Sequence, residues 1–268
     1  MRDLHRPEVA AHGAAGLAAL AVALTGAARL ARADHEGAMG GDHHGAGPGV
    51  SVGLSVEAAE FDTTSYVGSY QGVTPSLGWA SGRFGATAAI SVYHLTKNGL
   101  SVYGPGDAMF GGHATVIQRE ALHAGVALHM HAPTGSELDG LGMGHVHVTP
   151  SVWASWHLRR LTLNASGGYS RAIFGGAHHD HDGGPLVAPM NLQELSWNAG
   201  ADVALGAGVQ VGGRALGGVP IGDGVTRVIT GGHLVWGSDR ISTGIEAQVG
   251  LAGDPFTIRG VAETTLRF

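Results

Sequence analysis

From Val50 onward the apolar residues of this chain recur at every second position, in runs separated by turn-forming residues. That is the period of a strand with two unlike faces. In VSVGLSVEAAEF (50–61), Val50, Val52, Leu54 and Val56 share one face, and Ser51, Gly53, Ser55 and Glu57 the other. In LTLNASGGYSRAI (161–173), Leu161, Leu163, Ala165 and Tyr169 oppose Thr162, Asn164, Ser166 and Ser170. LQELSWNAGADVAL (192–205) sets Leu195, Trp197, Ala199, Ala201, Val203 and Leu205 against Glu194, Ser196, Asn198 and Asp202, and ISTGIEAQVGL (241–251) alternates in the same way. No segment after Val50 keeps the ~3.6-residue period of an amphipathic helix. Twelve alternating runs are predicted, at about 50–61, 69–80, 83–94, 106–118, 121–131, 145–157, 161–173, 192–205, 209–217, 226–237, 241–251 and 257–268.

Their connections alternate in length. Short links fall around Gly82, Glu120, Arg159, Ala207 and Asp239; longer ones span about 62–68, 95–105, 132–144, 174–191, 218–225 and 252–256. An even number of strands, with short turns at one end and long loops at the other, is the signature of a transmembrane barrel. A soluble β-sandwich also alternates apolar and polar faces, but it does not need this rhythm. The expected fold is therefore all-β: a transmembrane antiparallel up-and-down β-barrel of about 12 strands. Trp79, Trp156 and Trp236 take the outward parity near strand ends, as an interfacial girdle would.

Composition agrees. Only 13% of residues are charged and 44% are hydrophobic, where ordinary soluble domains carry roughly a quarter charged residues. The net charge of -6 argues against nucleic acid as a partner, and a chain with no cysteine has no disulfide framework. Arg2 and Arg6 precede an apolar run at 14–28, and ARA at 31–33 supplies the small residues a signal peptidase reads. The expected organisation is a signal peptide over 1–33, a flexible His- and Gly-rich leader over 34–49, and an outer-membrane barrel over 50–268. The last run ends on Phe268, resembling the strand by which the barrel assembly machinery takes up bacterial outer-membrane proteins. Outer-membrane lipid and that machinery are thus the expected macromolecular partners, and the bacterial outer membrane the expected location.

Inside a barrel, the inward parity carries the chemistry. His113, His123, His129, His131, His145, His147, His157 and His233 fall on it, so the alternation of histidine with apolar residues in ALHMH (127–131) and HVHV (145–148) is already what a barrel wall requires. Hairpin closure about residue 138 would pair His131 with His145 and His129 with His147, with Cβ atoms about 5 Å apart. These four imidazoles are then either polar lumen filler or a site for Cu, Zn or Ni. The strands after residue 190 turn Glu194, Asp202, Arg214, Arg227, Glu246, Arg259, Glu263 and Arg267 inward, with Glu57 beside them after closure. Charges of both signs in a confined lumen should pair, because an isolated one is costly there. The long loop around 175–189 carries His178, His179, Asp180, His181 and Asp182, donors for weak transition-metal binding without a fixed scaffold. No cofactor is required by any of these residues.

The stretch from GPGDAMFGG (104–112) through GVALHMHAPTGSELDGLGMGHVHVTPSVWASW (125–156) resembles the outer-membrane channels of the meta-pathway phenol-degradation type. It carries a G-x-G-D pattern leading into a strand (Gly104, Gly106, Asp107), a strand ending in P-T-G (Pro133, Thr134, Gly135), and an L-G-x-G return (Leu141, Gly142, Gly144). The resemblance implies a transporter-like barrel with aromatic or other small hydrophobic compounds as its substrate class; the histidine enrichment departs from it. Three functions follow: a passive channel for a small solute, a His-rich barrel binding or conducting transition-metal ions, and a structural barrel without transport. An enzyme is not expected. GLGMGH (140–145) lacks the Lys-Ser/Thr of a phosphate loop, and no Ser/His pair occupies the lipid-facing parity that twelve-stranded barrel phospholipases use.

Overall fold

The computed structural model describes residues 49–62, 67–175, 187, 190–253 and 256–268. Fourteen strands carry the fold: β1 (Gly49–Asp62), β2 (Val67–Ser81), β3 (Phe84–Ala89), β4 (Val92–Lys97), β5 (Leu100–Pro105), β6 (Ala108–Arg119) and β7 (Leu122–Ala132) in the first half. The second half comprises β8 (His145–Leu158), β9 (Leu161–Gly175), β10 (Gln193–Gly206), β11 (Val209–Pro220), β12 (Arg227–Gly237), β13 (Ile241–Ala252) and β14 (Phe256–Arg267). Every pairing is antiparallel, and β14 closes on β1 through pairs such as Val52↔Leu266 and Val56↔Ala262. Two wall strands are each broken in the middle. β2 pairs with β3 through Ser76–Ser81 and with β4 through Gly68–Val73, while β5 folds back on β4 as a hairpin and β6 pairs onto β3. Counted as staves, the sheet is a closed 12-strand antiparallel barrel. The expected signal peptide over 1–33, nearly all of the expected leader over 34–49, and His178, His179, Asp180, His181 and Asp182 lie outside the described residues.

The alternation works as the period requires. Val50, Val52 and Leu54 are exposed to the surroundings, whereas Ser55, Glu57, Ala59 and Phe61 of the same strand are buried inside. Trp79, Phe84 and Trp156 stand exposed on the outer wall beside the short turns, with Trp236 half-buried at the same end. That is where an interfacial aromatic belt belongs.

One connection differs from expectation. Residues 95–105 are not a long loop: β4 and β5 run on as a hairpin to a two-residue turn at Asn98 and Gly99, whose φ angles are 51° and 83°. Positive φ at both central residues matches the right-handed twist of the flanking strands, which is why Asn-Gly suits this turn. The Asn98 side chain also accepts the Val67 amide at 2.9 Å, tying the hairpin tip to β2. The real interruptions are at Ile90–Ser91 and Gly106–Asp107, halfway up the wall.

Candidate functional site

The lumen gathers most of the buried polar side chains of the described wall, and it divides into a paired polar band and an apolar cluster. At the short-turn end, Ser155 donates to Asn164 Oδ1 at 2.7 Å and lies 3.4 Å from His157 Nε2. Asn164 in turn donates to Asp202 Oδ2 at 2.9 Å, and His233 Nε2 lies 2.5 Å from Asp202 Oδ1. His123 packs edge-on against His157, with ring centroids 5.5 Å apart.

Because the strands are tilted, the band climbs towards the long-loop end as it crosses the later strands. Arg214 grips Glu246 with two parallel bonds, Nε to Oε1 at 2.7 Å and Nη2 to Oε2. Gln248 donates to Glu246 at 2.8 Å and accepts from Arg259 Nε at 2.7 Å. Arg259 Nη1 stands 3.8 Å from Glu57, whose other oxygen accepts the Tyr93 hydroxyl at 3.0 Å. Nearby, Glu194 is 0% exposed and accepts from Arg227 at 2.7 Å and from the Asn191 amide group at 2.6 Å. The sequence-predicted charges thus pair by sign, Glu194–Arg227, Asp202–His233 and Arg214–Glu246 each reaching over one intervening strand and Glu57–Arg259 between neighbours, as a low-dielectric enclosure demands. Glu263 and Arg267 take the same inward parity on β14, and Arg267 reaches the Asp239 carbonyl at 3.5 Å.

Glycine makes this band possible. Gly212 faces both Asp202 and His233 in register, Gly85 faces His113, Gly111 faces His129, and Gly231 faces both Arg214 and Gln248. A Cβ at Gly231 would come within 2.9 Å of Gln248 and Glu246, so the missing side chain is the space in which the polar ones lie flat.

The histidine hairpin closes one step further along than expected. His131 pairs with His147 and His129 with Thr149, while His145 pairs with Gly175 of β9. His145 and His147 are buried with ring centroids 5.6 Å apart, and His147 Nε2 lies 3.1 Å from the Asn191 carbonyl, so that nitrogen carries the proton. The proposed pairs His131–His145 and His129–His147 are therefore not formed. Among the described residues no three His, Asp or Glu side chains converge where they could hold a metal ion.

Above the band lies a layer that inward parity alone did not single out. Ala59, Phe61, Tyr70, Tyr93, Leu95, Leu141, Val187, Ile229 and Phe256 form one buried apolar cluster on the inner side of the long-loop end. Tyr70 and Tyr93 meet edge to face at 5.8 Å, and the Arg259 guanidinium lies 4.6 Å over the Phe256 ring. The available signal was that Ala59 and Phe61 continue the inward parity of Ser55 and Glu57.

The family-like motif residues also come together. Asp107 Oδ1 accepts the Gly135 amide at 3.0 Å and Oδ2 the Met143 amide at 2.8 Å. Thr134 donates to the Gly106 carbonyl and accepts the Ala108 amide, both at 2.8 Å. A Cβ at Gly104 would come within 2.9 Å of the Leu141 side chain, and Gly135 and Gly142 are in backbone contact. The segment between β7 and β8 is thereby drawn into the lumen.

A closed wall, apolar outside and polar within, defines a transmembrane β-barrel of the outer-membrane type. Solved structures share it. An outer-membrane channel from Pseudomonas putida F1 superposes with a TM-score of 0.66 at 11% identity, covering 88% of this chain and 100% of that one. The KdgM porin matches with a TM-score of 0.53 at 8% identity, over 81% of this chain and 99% of its own. The translocator domain of the autotransporter NalP from Neisseria meningitidis matches with a TM-score of 0.53 at 13% identity, over 96% and 98%. At such identities the likeness is one of fold, and one fold hosts several functions. No protein-family profile and no curated protein matches the sequence.

Proposed function

We propose that this chain is a passive outer-membrane channel for a small solute of aromatic or hydrophobic character. The observation that carries the proposal is the apolar cluster inside the lumen, with Phe61, Tyr70, Tyr93 and Phe256 set directly against the Glu57–Arg259 pair. A channel for strongly hydrated ions gains little from a cluster of aromatic side chains inside its lumen. A solute with an apolar body gains more, since it exchanges water for ring and methylene surface at roughly 25 cal/mol per Å². The resemblance of the Gly104–Asp107, Pro133–Gly135 and Leu141–Gly144 motifs to phenol-degradation channels supports the same solute class. The charge-paired band favours a polar path below the cluster that is not strongly biased to one sign of ion.

The test is single-channel recording from the refolded chain in a planar bilayer, with the ion current as reporter. Phenol on the long-loop side is expected to interrupt the current in proportion to its concentration, whereas glucose at the same concentration leaves it untouched. Phe61→Ala with Tyr93→Ala should shorten the interruptions at least several-fold, as each ring forfeits a stacking contact. Equal interruption by both solutes, or none by phenol, would remove the aromatic preference.

A further inference from the structure

We infer that Asp107 is the positioning residue of a latch: it holds the segment 133–144 inside the lumen and so sets how often the passage is open. This rests on the lumen being a passage, as proposed above. The segment reaches outward at its tip, where Leu138 is 98% exposed, and inward at its return, where Leu141 and Met143 are 3% and 0% exposed. Leu141 is part of the apolar cluster that fills the long-loop end, together with Tyr93 and Leu95. It is the only cluster member contributed by this segment, and it closes the layer from the β5–β8 side.

What keeps the segment there is local and small. Its own turn is fastened by Leu141 N–H to the Ser136 carbonyl and Gly140 N–H to the Glu137 carbonyl, both at 2.9 Å, and these bonds travel with the segment. The fastenings to the wall run to residues 106–108: two amides onto the Asp107 carboxylate, and the Thr134 hydroxyl bridging Gly106 and Ala108. They fall at the interruption between β5 and β6, where the wall strand is broken. Asp107 is 7% exposed, and a carboxylate so enclosed strengthens the bonds it accepts. Gly142 sits so close that a Cβ would meet Asp107 Oδ1 at 2.5 Å, which lets the backbone approach the carboxylate. A single side chain therefore spans both arms of the segment, Gly135 on the way in and Met143 on the way out. Removing it releases the outgoing arm at Met143 and leaves the incoming arm held by Thr134 alone, so Leu141 loosens from its seat beside Tyr93 and Leu95.

Loss of two hydrogen bonds to a charged acceptor should shift a closed-to-open equilibrium by about tenfold to a hundredfold. The chain contains no cysteine, so one introduced at Leu138 carries a nitroxide without background. Electron paramagnetic resonance and single-channel recording are made on the same refolded barrels, with circular dichroism to establish folding. For Asp107→Ala the expected result is a mobile label and open-state occupancy raised at least about tenfold. Thr134→Val, which keeps the shape and removes the hydroxyl, should give a smaller rise, and Asp107→Asn, which keeps one acceptor oxygen, an intermediate one. A second route does not depend on how well Asp107→Ala folds. Cysteines at Gly104 and Leu141, whose side chains would touch, should restore the closed state of Asp107→Ala on oxidation and release it on reduction. A label and an occupancy that match wild type in Asp107→Ala and Thr134→Val would overturn the latch while leaving a conducting channel intact. A mobile label with unchanged occupancy would also overturn it, because the segment then does not govern passage. Failure of the passage reading looks different: no variant conducts, including a barrel whose cluster has been trimmed by Tyr93→Ala and Leu95→Ala.

Discussion

Glu57 shows what each inward side chain must solve. It is buried, it carries a charge, and it is answered from two sides, by the Tyr93 hydroxyl at 3.0 Å and the Arg259 guanidinium at 3.8 Å. The same logic governs Arg214 and Glu246, whose two parallel bonds cross from β11 to β13 over the backbone of Gly231 on β12. A fork of this kind depends on the planar guanidinium, so Arg214→Lys is not a conservative change there. Arg214→Ala leaves Glu246 enclosed with only Gln248 as an uncharged donor, and should destabilise the refolded barrel by about 1–3 kcal/mol. The double variant Arg214→Ala/Glu246→Gln should recover most of that loss, since it removes the stranded charge along with its partner. Urea unfolding followed by tryptophan fluorescence reads both. A double variant as unstable as the sum of its parts would show that the pair is not coupled.

At the scale of the strand, most of the wall was legible before any coordinates. Period-two alternation identified the twelve staves because a membrane on one side and a polar lumen on the other impose opposite demands on successive residues. It also placed Asp202, His233, Arg214 and Glu246 on one face, which is why they meet. Parity is blind, however, to a slip of two residues, because such a slip returns every side chain to its original face. That is why the histidine hairpin could be assigned its faces but not its register, and why His131 meets His147 and not His145. The clamp of Asp107 on Gly135 and Met143 fixes where the connection turns, and no local pattern reports it. Parity misleads in a second way when apolar residues face inward. Tyr93 read as the end of a strand and Leu95 as the start of a loop, although β4 continues into a hairpin around Asn98–Gly99. Gly104 and Pro105 fell in the expected loop, and both residue types weaken ladders, yet they belong to β5, while Gly106, expected to open a strand, lies in the break before β6. The turn itself is testable: Gly99→Ala must hold a φ of 83° with a Cβ present, at a cost of about 1–2 kcal/mol. Heat unfolding should show that loss for Gly99→Ala and not for Asn98→Asp, which keeps a residue at ease with positive φ and an oxygen to accept the Val67 amide.

The whole molecule is a barrel whose two ends differ in kind. At the short-turn end its lumen carries His123, His157, Ser155, Asn164 and Asp202, a polar, hydrogen-bonded wall. At the long-loop end the same lumen carries a buried cluster of aromatic and aliphatic side chains, with the charge-paired band climbing between the two. A barrel that served only as scaffold would have no need of this gradient; a passage for a small apolar solute uses both halves, one to receive it from the outside and one to release it into water. The most direct measurement compares the conductance of the refolded wild-type barrel with that of Tyr93→Ala/Leu95→Ala, both checked for folding, in a planar bilayer. The expected result is a small, intermittent conductance for the wild type and a larger, steadier one for the trimmed barrel, because trimming removes side-chain bulk from the cluster inside the lumen. Silence from a folded barrel after that trimming would contradict the channel and leave a structural role in its place.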